Sequence, residues 1–171
     1  MTTIYLARHG QTEENVAGIL QGHLPGCLTE EGKAQALLLG RRLEHISLDA
    51  VVSSDLTRCV DTVLLAVGQR QLAWERTPML REIDCGSLTG ESIVQVDFKH
   101  LPADVETMRM LYDRAGQVLD HLKQNYGGQR ILVVSHGMLN RSMQAHIQGV
   151  TFEHLRCVPK MDNAELRKFL L

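Results

Sequence analysis

Short runs of aliphatic and β-branched residues alternate along the chain with longer stretches in which apolar positions recur every three or four residues. Ile4-Tyr5-Leu6-Ala7, Ala50-Val51-Val52 and Ile131-Leu132-Val133-Val134 read as strands. They are apolar throughout, the mark of strands covered on both faces. Thr29 can N-cap a helix with Glu30 and Glu31 in its first turn, running through Leu37, Leu38 and Leu43 to about Ile46. Leu56, Cys59, Val60, Val63, Leu64 and Val67 predict a second helix, from about Asp55 to a stop at Gly68. The apolar positions from Val105 to Leu122 predict a long third helix closed by Gly127-Gly128, and a fourth is expected from Met138 to Gln148. Gln71 to Glu75 forms a candidate strand before Pro78, Leu80 to Gly90 a loop, and two weaker strands are expected near Cys157 and Leu166. The alternation is that of an α/β fold, with a mostly parallel central sheet and helices on both faces.

No Pro/Gly/Ser-rich linker or charge block divides the 171 residues, so one domain spanning 1–171 is expected. Only 4% of the residues are aromatic, which leaves the core to Leu, Val, Ile, Ala and Met, with Met79, Met108, Met110, Met138 and Met143 as filler. Eighteen Lys and Arg against twenty Asp and Glu give a net charge of −2. That balance removes the electrostatic case for general binding to nucleic acid or to an anionic membrane. The longest apolar run, Val63 to Val67, is far short of the roughly 18 residues that span a bilayer. Met1-Thr2-Thr3 leads directly into the first strand, without the basic and apolar regions of a secretory signal. Cys27, Cys59, Cys85 and Cys157 contain no C-x-x-C pair, and reduced packing thiols in a cytoplasmic protein are expected. Nothing in the pattern selects an oligomeric state.

One local echo concentrates the chemistry. Ile4-Tyr5-Leu6-Ala7-Arg8-His9-Gly10 aligns with Ile131-Leu132-Val133-Val134-Ser135-His136-Gly137, two strands each ending in x-His-Gly. Ligands of open α/β sheets sit beyond the carboxyl ends of the strands, and both His-Gly pairs fall there. A third strand end delivers Ser53-Ser54-Asp55-Leu56-Thr57-Arg58, with Arg58 in the first turn of the next helix and opposite its apolar face. If these strands are neighbours, His9, His136, Arg8 and Arg58 converge, joined by amides of the helix N-termini. Arginine offers a planar fork of donors matched to phosphate oxygens and stays protonated, so the cluster points to a phosphoryl group. A neutral histidine in the same pocket can attack phosphorus. Ser54 reads equally well as an N-cap.

Arg8-His9-Gly10-Gln11-Thr12-x-x-Asn15 resembles the signature of the histidine phosphatase (phosphoglycerate mutase-like) superfamily. Gln21-Gly22, Leu28-Thr29-x-x-Gly32, Ser53-Ser54-Asp55-Leu56-x-Arg58-x-x-x-Thr62, Leu80-x-Glu82 and Ser135-His136-Gly137 follow in that family's order, and Asn163-Ala164 matches its closing strand. The resemblance implies a three-layer sandwich and a phosphoric monoester hydrolase. It also implies that His9 becomes a phosphohistidine, that Arg8, Arg58 and His136 hold the phosphoryl oxygens, and that Glu82 serves as acid and then base. Asn15, Gln21, Gly22 and the Gly137 amide are the implied substrate contacts, with His23 beside them. No metal and no cofactor are implied, and phosphate or sulfate should fit the site.

The chain departs from the family after the acid. Gly86-Ser87-Leu88-Thr89-Gly90 lacks the family's aromatic and second glutamate, and residues 91–103 stand where many members carry a longer lid. Such a shortened lid should leave the site open, which suits hydrolysis better than the enclosed reorientation a phosphoglycerate mutase requires. The expected substrate is a small phosphorylated metabolite. A phosphohistidine or phosphotyrosine protein phosphatase, a mutase and a non-catalytic phosphate-binding module are the alternatives.

Overall fold

The computed structural model describes residues 1–171. Five strands, β1 (Thr3–Arg8), β2 (Ala50–Ser54), β3 (Ala73–Thr77), β4 (Arg130–Ser135) and β5 (Leu166–Leu170), form one sheet in the order β3-β2-β4-β1-β5. All neighbours are parallel except β5, which runs antiparallel to β1 at the edge. The predicted mostly parallel sheet is therefore the observed one. The two-residue period of β4 sends Ile131 and Val133 to one face, and Leu132 and Val134 to the other. On the first face they meet Leu111, Leu119 and Leu122 of α4 (Met108–Asn125) and Leu139 and Met143 of α5 (Gly137–Ile147). On the second they meet Leu39 and Leu43 of α2 (Glu30–Leu43) and Cys59, Val63 and Ala66 of α3 (Thr57–Val67). No helix is long and apolar enough to cross a membrane.

The parallel register of β1 and β4 pairs Arg8 with Ser135, so the two x-His-Gly ends emerge side by side. The pairing of β2 with β4 brings Ser54 to the same edge. Close backbone approach fixes the first of these ends. A Cβ on Gly10 would lie 2.4 Å from the Gly32 carbonyl oxygen in the first turn of α2, a distance no side chain tolerates.

Several element ends differ from expectation. Helix α3 begins at Thr57, because Asp55 turns away to Arg81 and the Leu56 amide donates to Ser54 Oγ. Helix α4 begins after Thr107, whose hydroxyl accepts from the Met110 amide, so Val105 lies outside it. It ends at Asn125, capped by Tyr126, ahead of Gly127-Gly128. A short helix, α1 (Glu13–Ala17), was not anticipated; it is nucleated by reciprocal capping between Thr12 and Asn15. The segment around Cys157 is a tight 3₁₀ stretch, Phe152–Cys157, and not a strand. Asn163-Ala164 form the turn before β5, with Ala164 at φ 54°, and are not themselves strand. Cys27 and Cys157 are exposed and Met110 faces solvent, so only Cys59 and Cys85 pack inside, and Met143 alone of the five methionines is fully buried.

Candidate active site

His9 follows β1 directly and is 3% exposed. Its Nδ1 donates to the Gly10 carbonyl at 2.7 Å, while the Gly10 amide donates to Thr62 Oγ1 at 3.0 Å. With the proton on Nδ1, the Nε2 lone pair is free. Burial, reinforced by the Arg58 and Arg8 charges, pushes the imidazole well below the usual histidine range, against the opposing Gly10 carbonyl. The ring is neutral at pH 7.

The His136 ring stands with its centroid 5.1 Å from that of His9, the planes inclined by 60°. It is fully buried. Its Nδ1 accepts from Arg58 Nε at 3.2 Å, and its Nε2 lies 2.9 Å from Ser54 Oγ. Burial first, then the Arg58 charge, pushes this imidazole well below its usual range too. Two residues 127 positions apart in the chain are thus neighbours, as the echo of the two strand ends required.

Arg58 is 1% exposed. Besides His136, it donates to the carbonyls of Gly22, at 2.9 Å, and of Leu24. The loop that carries Gln21 and Gly22 is thereby drawn over the start of α3, and the Arg58 amide adds a bond to the Pro25 carbonyl at 3.1 Å. Gly22 sits at φ +47°, where a Cβ would come within 3.0 Å of Cys85. Arg8 donates to the Met161 carbonyl at 2.9 Å, but its Nε is buried with no partner. That nitrogen faces Gly137, on which a Cβ would lie 3.4 Å away. The amide oxygen of Gln21, a residue 8% exposed, is also buried and unpartnered. Neither Arg8 nor Arg58 has a carboxylate partner, whereas Arg81 and Arg114 lie on Asp55 and Glu106. Burial lowers the pKa of both free guanidiniums from the ordinary arginine value, with the Glu82 carboxylate acting against it. An unpaired buried cation with an open donor is an unfavourable state that an anion relieves.

Glu82 meets this cluster from the far side. Its carboxylate accepts from the amides of Ile83 (3.0 Å), Met138 (3.2 Å) and Leu139 (3.3 Å). The α5 amides that the sequence pattern offers to a ligand are therefore taken by Glu82, except at Gly137, the first residue, where helix geometry leaves the N–H free. His23 Nε2 is 3.0 Å from the Glu82 carbonyl. A cleft of about 420 Å³, lined by His23, Arg81, Asp84, Glu106 and Arg114, opens next to Glu82. Asn15 lies behind His9. Its Oδ1 accepts from the Thr12 amide and from Asn163 Nδ2, and Asn163 in turn donates to the His9 carbonyl at 3.1 Å.

Arg114 is the residue that sequence reasoning missed. From the polar face of α4 it donates to the carbonyls of Met79 (2.9 Å), Arg81 (2.8 Å) and Glu82 (3.2 Å), and so fixes the loop that presents Glu82. Nothing in a helical pattern separates it from a solvated arginine.

A family model described as histidine phosphatase superfamily (branch 1) matches residues 4–171. The chain belongs to that superfamily. Among curated histidine phosphatase relatives, phosphoserine phosphatase 1 of Hydrogenobacter thermophilus is 30% identical over 165 residues, covering 88% of this chain and 78% of the relative. The adenosylcobalamin/alpha-ribazole phosphatase of Escherichia coli is also 30% identical, over 88% of this chain and 81% of its own. Among solved structures, YhfR of Bacillus stearothermophilus superposes with a TM-score of 0.90 at 27% identity, over 98% of this chain and 90% of that one. The histidine phosphatase assignment makes this protein a phosphoric monoester hydrolase.

Proposed function

We propose that the enzyme hydrolyses phosphomonoesters of small metabolites through a phosphohistidine on His9, without a metal ion. The observation that carries this reading is the free Nε2 lone pair of a neutral, buried His9 beside two guanidiniums that lack carboxylate partners. The Arg8 and Arg58 charges and the Gly137 amide stabilise the phosphoryl oxygens, supplying the positive charge that a metal supplies in other phosphatases. Nε2 attacks phosphorus and the ester P–O bond breaks, while the Glu82 carboxylic acid protonates the departing alkoxide. The Glu82 carboxylate then takes a proton from water, whose oxygen attacks phosphorus. The P–N bond breaks, and phosphate leaves with His9 restored. Gln21 and Gly22 line the phosphoryl site, which also takes inorganic phosphate or sulfate, and Asn15 supports His9 through Asn163.

The leaving alcohol lies in the cleft beside Glu82, flanked by His23. Small metabolites are favoured by the two 30%-identical relatives named for phosphoserine and alpha-ribazole. Residues 91–103 act as a shortened lid, anchored at one end by the Leu20 amide on the Glu91 carbonyl and at the other by Asp104 on Ser87. We assign the enzyme to the cytoplasm on its four unpaired cysteines. The deciding experiment is a panel of small phosphomonoesters run against phosphopeptides in EDTA, with rapid acid or base quenching. Turnover of small esters with an acid-labile, base-stable phosphoprotein is expected. Turnover confined to phosphopeptides, loss of activity in EDTA, or an active His9→Ala variant would overturn the reading.

A further inference from the structure

Both ring nitrogens of His136 are engaged, and the identity of one partner decides the tautomer. Arg58 Nε always carries a hydrogen, so the nitrogen facing it, Nδ1, accepts. A neutral ring then carries its hydrogen on Nε2, which points at Ser54 Oγ across 2.9 Å. Ser54 is fully buried at the end of β2, and its oxygen is held by the Leu56 amide at 3.3 Å. Ser54 cannot follow the substrate, because pairing with Thr77 of β3 and of its neighbour Ser53 with Val134 of β4 fixes its backbone. Arg58 is different. Its long side chain already divides its donors between His136 and the carbonyls of a loop, and those donors are the kind a phosphoryl dianion competes for.

We propose that Ser54 is a positioning residue that fixes the Nε2–H of His136, while Arg58 is its exchangeable partner. When a phosphoryl group arrives, the Arg58 Nε–H turns to it, and Nδ1 of His136 takes up a proton from solvent and donates to the same anion. The ring changes from neutral acceptor to imidazolium donor without rotating, because Ser54 still holds the opposite nitrogen. The groups facing the ring are Arg8 and His9 at the end of β1, Arg58 and Cys59 of α3, and His23 of the covering loop, with the Glu82 carboxylate on the Met138 and Leu139 amides that follow His136. The incoming dianion adds the further negative charge that favours this protonation. The inference rests on the phosphatase reading for its consequence, but not for the tautomer itself.

The test is nitrogen-15 NMR of the full-length enzyme labelled at histidine. Without anion, His136 should show a bare Nδ1 and a protonated Nε2. With saturating vanadate or inorganic phosphate, both nitrogens should be protonated. The opposite tautomer in the free enzyme, or an unprotonated Nδ1 in the anion complex, overturns the proposal. In Ser54→Ala, kcat/KM on p-nitrophenyl phosphate should fall about ten- to a hundredfold. Its free His136 should keep the tautomer that Arg58 dictates, but the Nδ1–H signal of its anion complex should weaken or vanish, because the ring is no longer held from the opposite side, and its pH profile should shift. A Ser54→Ala protein that is only less heat-stable, with the anion-bound His136 signals and pH profile of the wild type, shows Ser54 to be merely structural and overturns the role. An inactive wild-type enzyme with the expected tautomers would instead sink the hydrolase reading alone.

Discussion

Arg58 reaches from the first turn of α3 to donate its Nε–H to Nδ1 of His136 across 3.2 Å, and the same guanidinium holds the carbonyls of Gly22 and Leu24. One side chain thereby couples the covering loop to the second histidine. Arg58→Lys retains the charge but offers no fork, so the bond to His136 and those to the two carbonyls cannot all be kept. We expect kcat/KM on small phosphomonoesters to fall by about 10²–10³, the loss typical of one preorganised charge-stabilising donor. Arg58→Ala should fall further and also lower the melting temperature, since three buried acceptors lose their donor. Unchanged kinetics in Arg58→Lys would remove Arg58 from the phosphoryl site.

Burial holds His9 and His136 neutral, with pKa values well below 6.5. In the unfolded chain each titrates near 6.5, so between that pH and the lower folded value the unfolded state binds more protons. Stability is therefore full above about pH 6.5 and declines as pH falls toward the folded pKa, by up to about 1.4 kcal/mol per pH unit for each ring. Urea midpoints measured from pH 7.5 to 5 should decline, and the slope should shrink in His136→Asn. A midpoint that stays flat or rises on acidification contradicts the buried neutral pair.

The strand-end histidines were legible because a parallel sheet sends every β-to-α junction to one edge, and two matching x-His-Gly junctions can meet only there. Arg8 and Arg58 were legible as chemistry, but the burial of Arg58 was not. A helical wheel places it opposite Val60 and Val63, and it is the loop from Gln21 to Pro25 that covers it. Glu82 was found only through its family context, because capping α5 requires knowing that the loop after β3 passes the end of β4. Arg114 acts wholly through carbonyl oxygens, which carry no residue identity, so no sequence signal marks it. The expectation of a strand near Cys157 failed for a related reason. Arg141 holds the carbonyls of Val158 and, at 2.5 Å, Arg156, stabilising a compact turn where propensity alone suggested an extended one.

The cysteines divide into two classes. Cys59 is fully buried against His136, and burial pushes its thiol up to about 12, with the Arg58 charge acting against it. Burial raises Cys85 as well. Cys27 and Cys157 are exposed. Ellman's reagent at pH 8 should therefore modify Cys27 and Cys157 quickly, and reach Cys59 and Cys85 only after denaturation. Rapid labelling of Cys59 in the native enzyme, located by peptide mapping, would show that the floor of the site opens in solution.

Arg114 should behave as a support for the acid. It fixes three carbonyls, of Met79, Arg81 and Glu82, in the loop that presents Glu82 and is itself held by Glu106 through two hydrogen bonds, of 2.9 and 2.7 Å. Arg114→Met, which keeps the length and apolar stem, should leave phosphate affinity near wild type but reduce kcat on alkyl phosphates about tenfold or more. Inhibition by phosphate and turnover of an alkyl ester, compared side by side, measure the two effects. Equal losses in both would mean that Arg114 supports the whole site and not the acid.

Glu82 lies on the Met138 and Leu139 amides at the start of α5 and on the Ile83 amide, and its chain neighbours Arg81 and Asp84 line the cleft proposed for the leaving group. Its proton matters most where the departing alkoxide is a strong base. Glu82→Gln keeps the shape and one acceptor oxygen but removes the transferable proton. With alkyl phosphates, kcat should fall by about 10²–10⁴, the usual range for general acid catalysis. With p-nitrophenyl phosphate, whose leaving group needs no proton, the first step should persist, and a burst of nitrophenolate should precede slow release of phosphate, because the base for water is gone. Rapid-quench kinetics on both substrates separate the two roles. An equal loss of both steps on both substrates would mean that Glu82 acts through the architecture of α5 and not as an acid.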